Sequence, residues 1–204
     1  MGHTPLAWAA RNGHEEVVRM LLGRDDIDPD KPGEHGKTPL SQAVSKGHKE
    51  VVRLLLGQSH VNPNKPDAYG RTPLSRAAYC GNQGVVEILL GRDDVDPNQP
   101  QLTPLWWAAW NGHEGVVKLL LGRHDINPDV PDYGGMTPLS QAASHGDEGV
   151  VKLLLACDNV DPNKLDDEGR SPLWWATHYG NEGVVKLLVP GVVGKSGEPA
   201  LIGS

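Results

Sequence analysis

A period of 34 residues constrains this chain more than any other feature in it. Thr-Pro-Leu begins at Thr4, Thr38, Thr72, Thr103 and Thr137, and Ser-Pro-Leu at Ser171, at intervals of 34, 34, 31, 34 and 34 residues. Each copy runs through small residues (Ala9-Ala10, Ala77-Ala78, Ala108-Ala109) to a glycine at 13, 47, 81, 112, 146 or 180. A second apolar segment follows, such as Val116-Val117-Lys118-Leu119-Leu120-Leu121, and then a polar stretch rich in Asp, Asn and Pro. Self-similarity on this scale belongs to arrays whose units cannot bury their apolar faces alone.

The local chemistry of each copy predicts two short helices and a turn. Thr4 can cap a helix whose first position is Pro5, where a missing amide proton costs nothing. Gly13 is suited to a left-handed stop. Val17, Val18, Leu21 and Leu22 then share one face of a second helix. Linkers such as Asp67-Ala68-Tyr69-Gly70-Arg71 read as turns at the ends of short hairpins. Neither helix is long enough to persist alone in water. Stacking neighbours would merge the Ala, Leu and Val faces into one strip of core. That suits a chain that is 38% hydrophobic and 5% aromatic, with no phenylalanine.

The run Thr103 to Leu121, Thr-Pro-Leu-x-x-Ala-Ala-x-x-Gly-His-x-x-Val-Val-x-Leu-Leu-Leu, resembles the ankyrin repeat. The resemblance covers residues 3–189 in six copies. It implies an all-α dominated repeat solenoid of six stacked helix-turn-helix units with short β-hairpin loops. There are departures. The histidine expected after Thr-Pro-Leu is Ala7, Ser41, Ser75, Trp106, Ser140 or Trp174. The loops carry an added Asp/Asn-Pro-Asp/Asn element, as in Asn62-Pro63-Asn64, which puts the hairpin conformation in question. The variant resembles the ankyrin arrays of fungal NOD-like receptors. That likeness implies the sensing portion of a larger protein.

A longer period lies above the first. Copies one, two and three match copies four, five and six at a spacing of 99 residues, as in Gly81-Asn82-Gln83-Gly84 and Gly180-Asn181-Glu182-Gly183. Duplication of a three-repeat block followed by divergence accounts for this. The array is expected over residues 1–189. Residues 190–204 are expected to be a tail, flexible or left over from expression, and the ends read as cut from a longer chain.

Several function classes are disfavoured. A net charge of −7 without a basic run argues against nucleic acid. No apolar run approaches the roughly 18 residues of a membrane span, and no targeting leader is visible. Cys80 and Cys157 make neither a disulfide framework nor a metal pair, which favours a reducing compartment, the cytoplasm or the nucleus. Gly194-Lys195-Ser196 looks like a phosphate loop, but Val189 stands where its first glycine should be. Asp26-x-Asp28-x-Asp30 has Lys31 and Lys37 at the positions where a calcium loop needs Gly and Glu, so it reads as turn capping. His14, His48 and His113 recur at the inter-helix turn as framework residues. No cofactor, metal or catalytic constellation is expected.

All six tryptophans fall on first helices. Helical spacing groups Trp8 with Arg11 and Asn12, Gln42 with Lys46, Arg76 with Tyr79, Trp107 with Trp110 and Asn111, Gln141 with His145, and Trp175 with His178 and Tyr179. Leu and Ala fill the opposite face, so these side chains are expected to point away from the core. Trp106 and Trp174, at the histidine-replacing position, are expected to pack inside it. In the ankyrin family the first-helix face and the hairpin tips form a concave binding groove. The resemblance therefore implies a monomeric, non-catalytic module holding a protein or peptide, with Tyr69, Arg71, Tyr133 and Met136 at the tips. The 31-residue interval before Thr103 lacks three finger residues and is expected to open a notch beside Trp107 and Trp110. A rigid spacer, an engineered scaffold without a dedicated ligand and, more distantly, an enzyme remain the alternatives.

Overall fold

The computed structural model describes residues 4–98 and 102–189. Twelve α-helices lie among the described residues, in two compact units, residues 1–104 and 105–204. The first unit carries α1 (Pro5–Asn12), α2 (Glu15–Leu22), α3 (Pro39–Lys46), α4 (Lys49–Leu56), α5 (Pro73–Tyr79) and α6 (Gln83–Leu90). The second is built from α7 (Pro104–Trp110), α8 (Glu114–Leu121), α9 (Pro138–His145), α10 (Glu148–Leu155), α11 (Pro172–His178) and α12 (Glu182–Leu188).

The repeated Thr-Pro starts these helices as the sequence requires. Thr4 Oγ1 accepts the Ala7 amide at 3.1 Å, and Thr38, Thr72, Thr137 and Ser171 each accept the corresponding amide at 3.2 Å. Such a cap is worth about 1 kcal/mol. The helices then pack in two rows. In the first unit α1 lies on α3 and α3 on α5, while α2 lies on α4 and α4 on α6. In the second, α9 lies on α11, and α8 on α10 on α12.

Leu6, Leu40 and Leu74 of the first helices and Val18, Val52 and Val86 of the second helices are all fully buried side chains. In the second unit Leu105, Leu139, Val117 and Val151 are the same. Each contributes up to about 1.5–3 kcal/mol by leaving water.

The expected hairpins contain no strand among the described residues. Each described finger is a turn held by two backbone hydrogen bonds, such as Asp67 N to Arg71 O at 3.0 Å and Gly70 N to Asp67 O at 3.0 Å. At three of the four described fingers an aspartate at the base contributes to this. Asp67 Oδ1 takes the amides of Tyr69 (2.9 Å) and Arg71 (3.1 Å), protons that a strand ladder would otherwise use. Neighbouring fingers within a unit are joined by backbone bonds, Ala68 N to His35 O at 2.8 Å and Asp167 N to Gly134 O at 3.1 Å, the first with a Tyr69–His35 side-chain contact beside it. Gly36, at φ 71°, permits this approach, since a Cβ there would lie 2.9 Å from Ala68 N.

The added Asp/Asn-Pro-Asp/Asn element is a stacking device. Asp30 Oδ2 accepts the Asn62 amide at 3.0 Å, Asn64 Oδ1 the Asp96 amide at 3.0 Å, and Asp129 Oδ2 the Asp161 amide at 2.8 Å. Each carboxylate or amide oxygen thus clips one loop to the next. The inter-helix turns are joined similarly: Asn82 Nδ2 donates to Val44 O at 3.0 Å, and His48 Nε2 lies 3.1 Å from Arg11 O. Of the recurring turn histidines, His48 thus has framework geometry.

Candidate functional site

The first helices and the fingers of each unit carry the residues singled out from sequence. In the first unit, Trp8 is 54% exposed and Tyr79 41%, and Arg11, Asn12 and Lys46 are also exposed. Asn12 is turned back on its own helix, its Nδ2 donating to Trp8 O at 2.8 Å. Tyr69 stands exposed at a finger tip, with the Arg71 guanidinium 4.7 Å from its ring centroid.

Gln42 and Arg76 depart from the expectation. Both lie on the anticipated face, but both are buried. Arg76 Nη2 donates to Asp67 Oδ2 at 2.7 Å, and Arg71 Nε reaches the same oxygen at 3.2 Å. Burial alone would raise the Asp67 carboxyl. The amides of Arg71 and Tyr69 and the two guanidiniums outweigh it and hold the carboxyl below the usual range.

The second unit repeats this arrangement with different chemistry. Gln141, also expected in the groove, is buried, with Nε2 donating to Asp132 Oδ2 at 3.3 Å and lying 3.3 Å from Met136 Sδ. Trp175 is half-buried, and its Nε1 donates to Asp166 Oδ2 at 3.0 Å. Trp107 is half-buried, and its carbonyl accepts from Asn111 Nδ2 at 3.0 Å. Trp110 is 41% exposed, its ring 5.2 Å from that of His145. His145 and His178 are exposed, as are Tyr179 and the finger-tip Tyr133, while Met136 is half-buried.

Trp106 is buried as expected, against the rings of Trp107 at 5.0 Å and Trp110 at 4.8 Å. Trp174 is not: it is 42% exposed, stacked on His178 at 4.7 Å. The two tryptophans hold the same place in their repeats, but no described repeat follows α11 and α12 to cover Trp174. The expected notch falls on residues 99–101, and the phosphate-loop look-alike on 194–196. Both lie outside the described residues.

The sequence reading missed the finger aspartates Asp67, Asp132 and Asp166. In all three fingers the aspartate bonds the side chain nine residues later, Arg76, Gln141 or Trp175. That fixed spacing was available as a signal. Also missed was a pocket of about 240 Å³ in the first unit, lined by Arg11, Glu34, His35, Lys37, Gln42, Ser45, Lys46, Arg76 and Cys80. Among the described residues no cluster of His, Cys, Asp and Glu could hold a metal ion. No described helix is long and apolar enough to cross a membrane.

Comparison with known proteins agrees with this geometry. A family model described as "Ankyrin repeats (3 copies)" matches residues 25–101, 59–132 and 105–199, and one described as "Ankyrin repeat" matches residues 1–34. No curated protein sequence gave a match. Among solved structures, the ankyrin repeat domain of Bcl-3, a member of the IkappaB family, is 27% identical with a TM-score of 0.81, covering 92% of this chain and 85% of that one. The ankyrin repeat protein EF0377 is 26% identical with a TM-score of 0.82, covering 90% and 96%. The human ASB11 ankyrin repeat domain has the same fold at 23% identity and a TM-score of 0.74, covering 97% and 90%. With Thr- or Ser-capped, glycine-stopped first helices and family models spanning nearly its whole length, the chain belongs to the ankyrin repeat family.

Proposed function

We propose that this ankyrin repeat chain is a non-catalytic module that binds a protein or peptide along its first-helix faces and finger tips. Ankyrin repeat domains are typically protein–protein interaction modules. The observation that supports the reading here is aromatic exposure confined to those elements. Trp110 and Tyr179 stand 41% and 58% exposed on or at the ends of first helices, and Tyr133 71% exposed on a finger. The second helices of the same unit turn Lys118, Lys152 and Lys186 to solvent instead. Large exposed aromatics are costly to leave in water and are the residues that most often dominate protein interfaces. A sensing role within a larger receptor-like protein rests on the sequence resemblance to NOD-like receptor arrays. Two free thiols suit the reducing cytoplasm or nucleus.

The test is selection of unphosphorylated peptides from a display library on the full chain. Selected peptides are then bound to Trp110→Ala and Tyr179→Ala variants whose folding is checked by circular dichroism. Affinity should fall about tenfold or more. Equal affinity for the wild type and both variants would turn the reading toward a spacer with an idle surface.

A further inference from the structure

The two units descend from one block, yet they differ in charge where their fingers meet the first helices. At the spacing of 99 residues, Arg11 corresponds to Trp110, His35 to Gly134, Lys37 to Met136, Lys46 to His145, Arg76 to Trp175 and Cys80 to Tyr179. The same backbone positions therefore tolerate aromatic and neutral residues. The fold does not require the cations of the first unit, and their gathering around one pocket calls for another explanation.

In that pocket Arg11, Lys37, Lys46 and Arg76 face a single lining carboxylate, Glu34. Four cations against Glu34 and the Asp67 carboxylate that pairs with Arg76 leave a formal +2 (4 − 2), with His35 counted neutral, in a chain whose net charge is −7. Arg76 is nine-tenths buried, with Nη2 committed to Asp67, but its Nε has no hydrogen-bond partner. A buried guanidinium N–H left unsatisfied is costly, so the pairing with Asp67 does not fully satisfy this group. Lys37 is pushed below the usual lysine range by burial and then by the neighbouring Arg76 and Arg71, with Asp67 opposing. An anion in the pocket would reverse that penalty.

We infer that this pocket is a subsite for a phosphorylated serine or threonine side chain on a bound peptide, held by Lys37 and Lys46 beside the guanidinium of Arg76. The inference rests on the peptide-binding reading above. A phosphomonoester brings nearly two negative charges and three acceptor oxygens, against one charge and two oxygens for a carboxylate. A local charge of +2 with several cationic donors fits the first better. Attachment to a peptide is favoured over a free anion because the pocket lies between first helices and fingers, where the exposed Tyr69 and Tyr79 stand ready for flanking residues.

The test uses the full ¹⁵N-labelled chain, titrated with acetyl-Ala-phosphoserine-Ala-amide, with its glutamate counterpart and with inorganic phosphate. The phosphoserine peptide should shift the Lys37, Lys46 and Cys80 amides saturably, and bind at least about tenfold tighter than either of the others. Lys37→Gln/Lys46→Gln should weaken it at least about tenfold with unchanged thermal stability, while Lys186→Gln, a charge control on α12, should leave it unchanged. Arg76→Gln is avoided as the main variant, because it strands Asp67. Equal binding of the glutamate peptide, equal binding of inorganic phosphate, an unmoved double variant or an equal loss in Lys186→Gln would each overturn the inference. If displayed unphosphorylated peptides still depend on Trp110 while the phosphoserine peptide fails, the subsite alone is wrong. If neither kind of peptide binds, both readings fall.

Discussion

Asp67→Asn is the most informative single change, because the structure assigns each of the carboxylate's bonds. Oδ1 accepts the Tyr69 and Arg71 amides, while Oδ2 accepts Arg71 Nε at 3.2 Å and Arg76 Nη2 at 2.7 Å. Asparagine can keep the first pair, but then its NH₂ group faces two guanidinium donors. Hydrogen bonds to charged groups are worth about 1.5–3 kcal/mol each. The side chain of Arg71 is 20% exposed and recovers part of its loss through water, whereas that of Arg76, at 10%, cannot. We therefore expect a loss of about 3–4 kcal/mol, in the range for breaking a buried pair from one side. Urea unfolding followed by far-ultraviolet circular dichroism would measure it, with hydrogen exchange placing the loss in the first unit. Removing the stranded charge in Asp67→Asn/Arg76→Met should bring stability back to within about 1 kcal/mol of wild type. A single variant that costs under about 1 kcal/mol, or a double variant no better than the single, would refute the reasoning.

Two further outcomes follow from the same geometry. Asp67 and Asp166 both titrate below the usual range, since amides and guanidiniums outweigh their burial, with the Trp175 indole adding to this at Asp166. The unfolded chain then takes up protons first, so their stabilisation is complete above about pH 5 and is lost as pH falls below about 4; Asp67→Asn/Asp166→Asn should flatten this acid limb, and an unchanged limb would contradict it. Trp106→Ala should cost about 3–5 kcal/mol and Trp174→Ala well under half of that, because one indole is 3% exposed and the other 42%; equal losses by urea unfolding would show that the exposed ring is packed after all.

The fold was legible because its determinants are local and repeated. Thr-Pro caps, glycine stops and Val/Leu faces each act within one or two turns of helix, and the period shows which apolar strips must meet. The hairpins were over-read for a related reason. Asp67-Ala68-Tyr69-Gly70-Arg71 has the composition of a hairpin tip, but the Asp67 side chain takes the amides that strand pairing would need. The Asp/Asn-Pro-Asp/Asn element looked like a departure from the repeat because its partner lies 32 residues away, as Asn62 does from Asp30. A contact of that kind appears only when copies are aligned and their loops compared.

The candidate site shows where a helical wheel stops being informative. The wheel gave Trp8, Gln42, Arg76, Trp107, Gln141 and Trp175 one shared direction, which α-helical geometry supports. It could not give them one shared environment, because burial there is decided by the finger lying over the helix. Where the finger base is aspartate, the side chain nine residues on is drawn to it: Arg76, Gln141 and Trp175 each end on a carboxylate oxygen. A donor in that register is held as part of the framework, and its neighbours one turn later, Tyr79, His145 and Tyr179, become the exposed residues. In the first unit the held donor is a guanidinium, which is paired with Asp67 and still lines the pocket beside Arg11, Lys37 and Lys46. In the second unit the held donors are the neutral Gln141 amide and the Trp175 indole, whose single N–H is spent on Asp166. One structural rule, applied to different donors after duplication, thus gives the first unit a basic pocket and the second an aromatic surface.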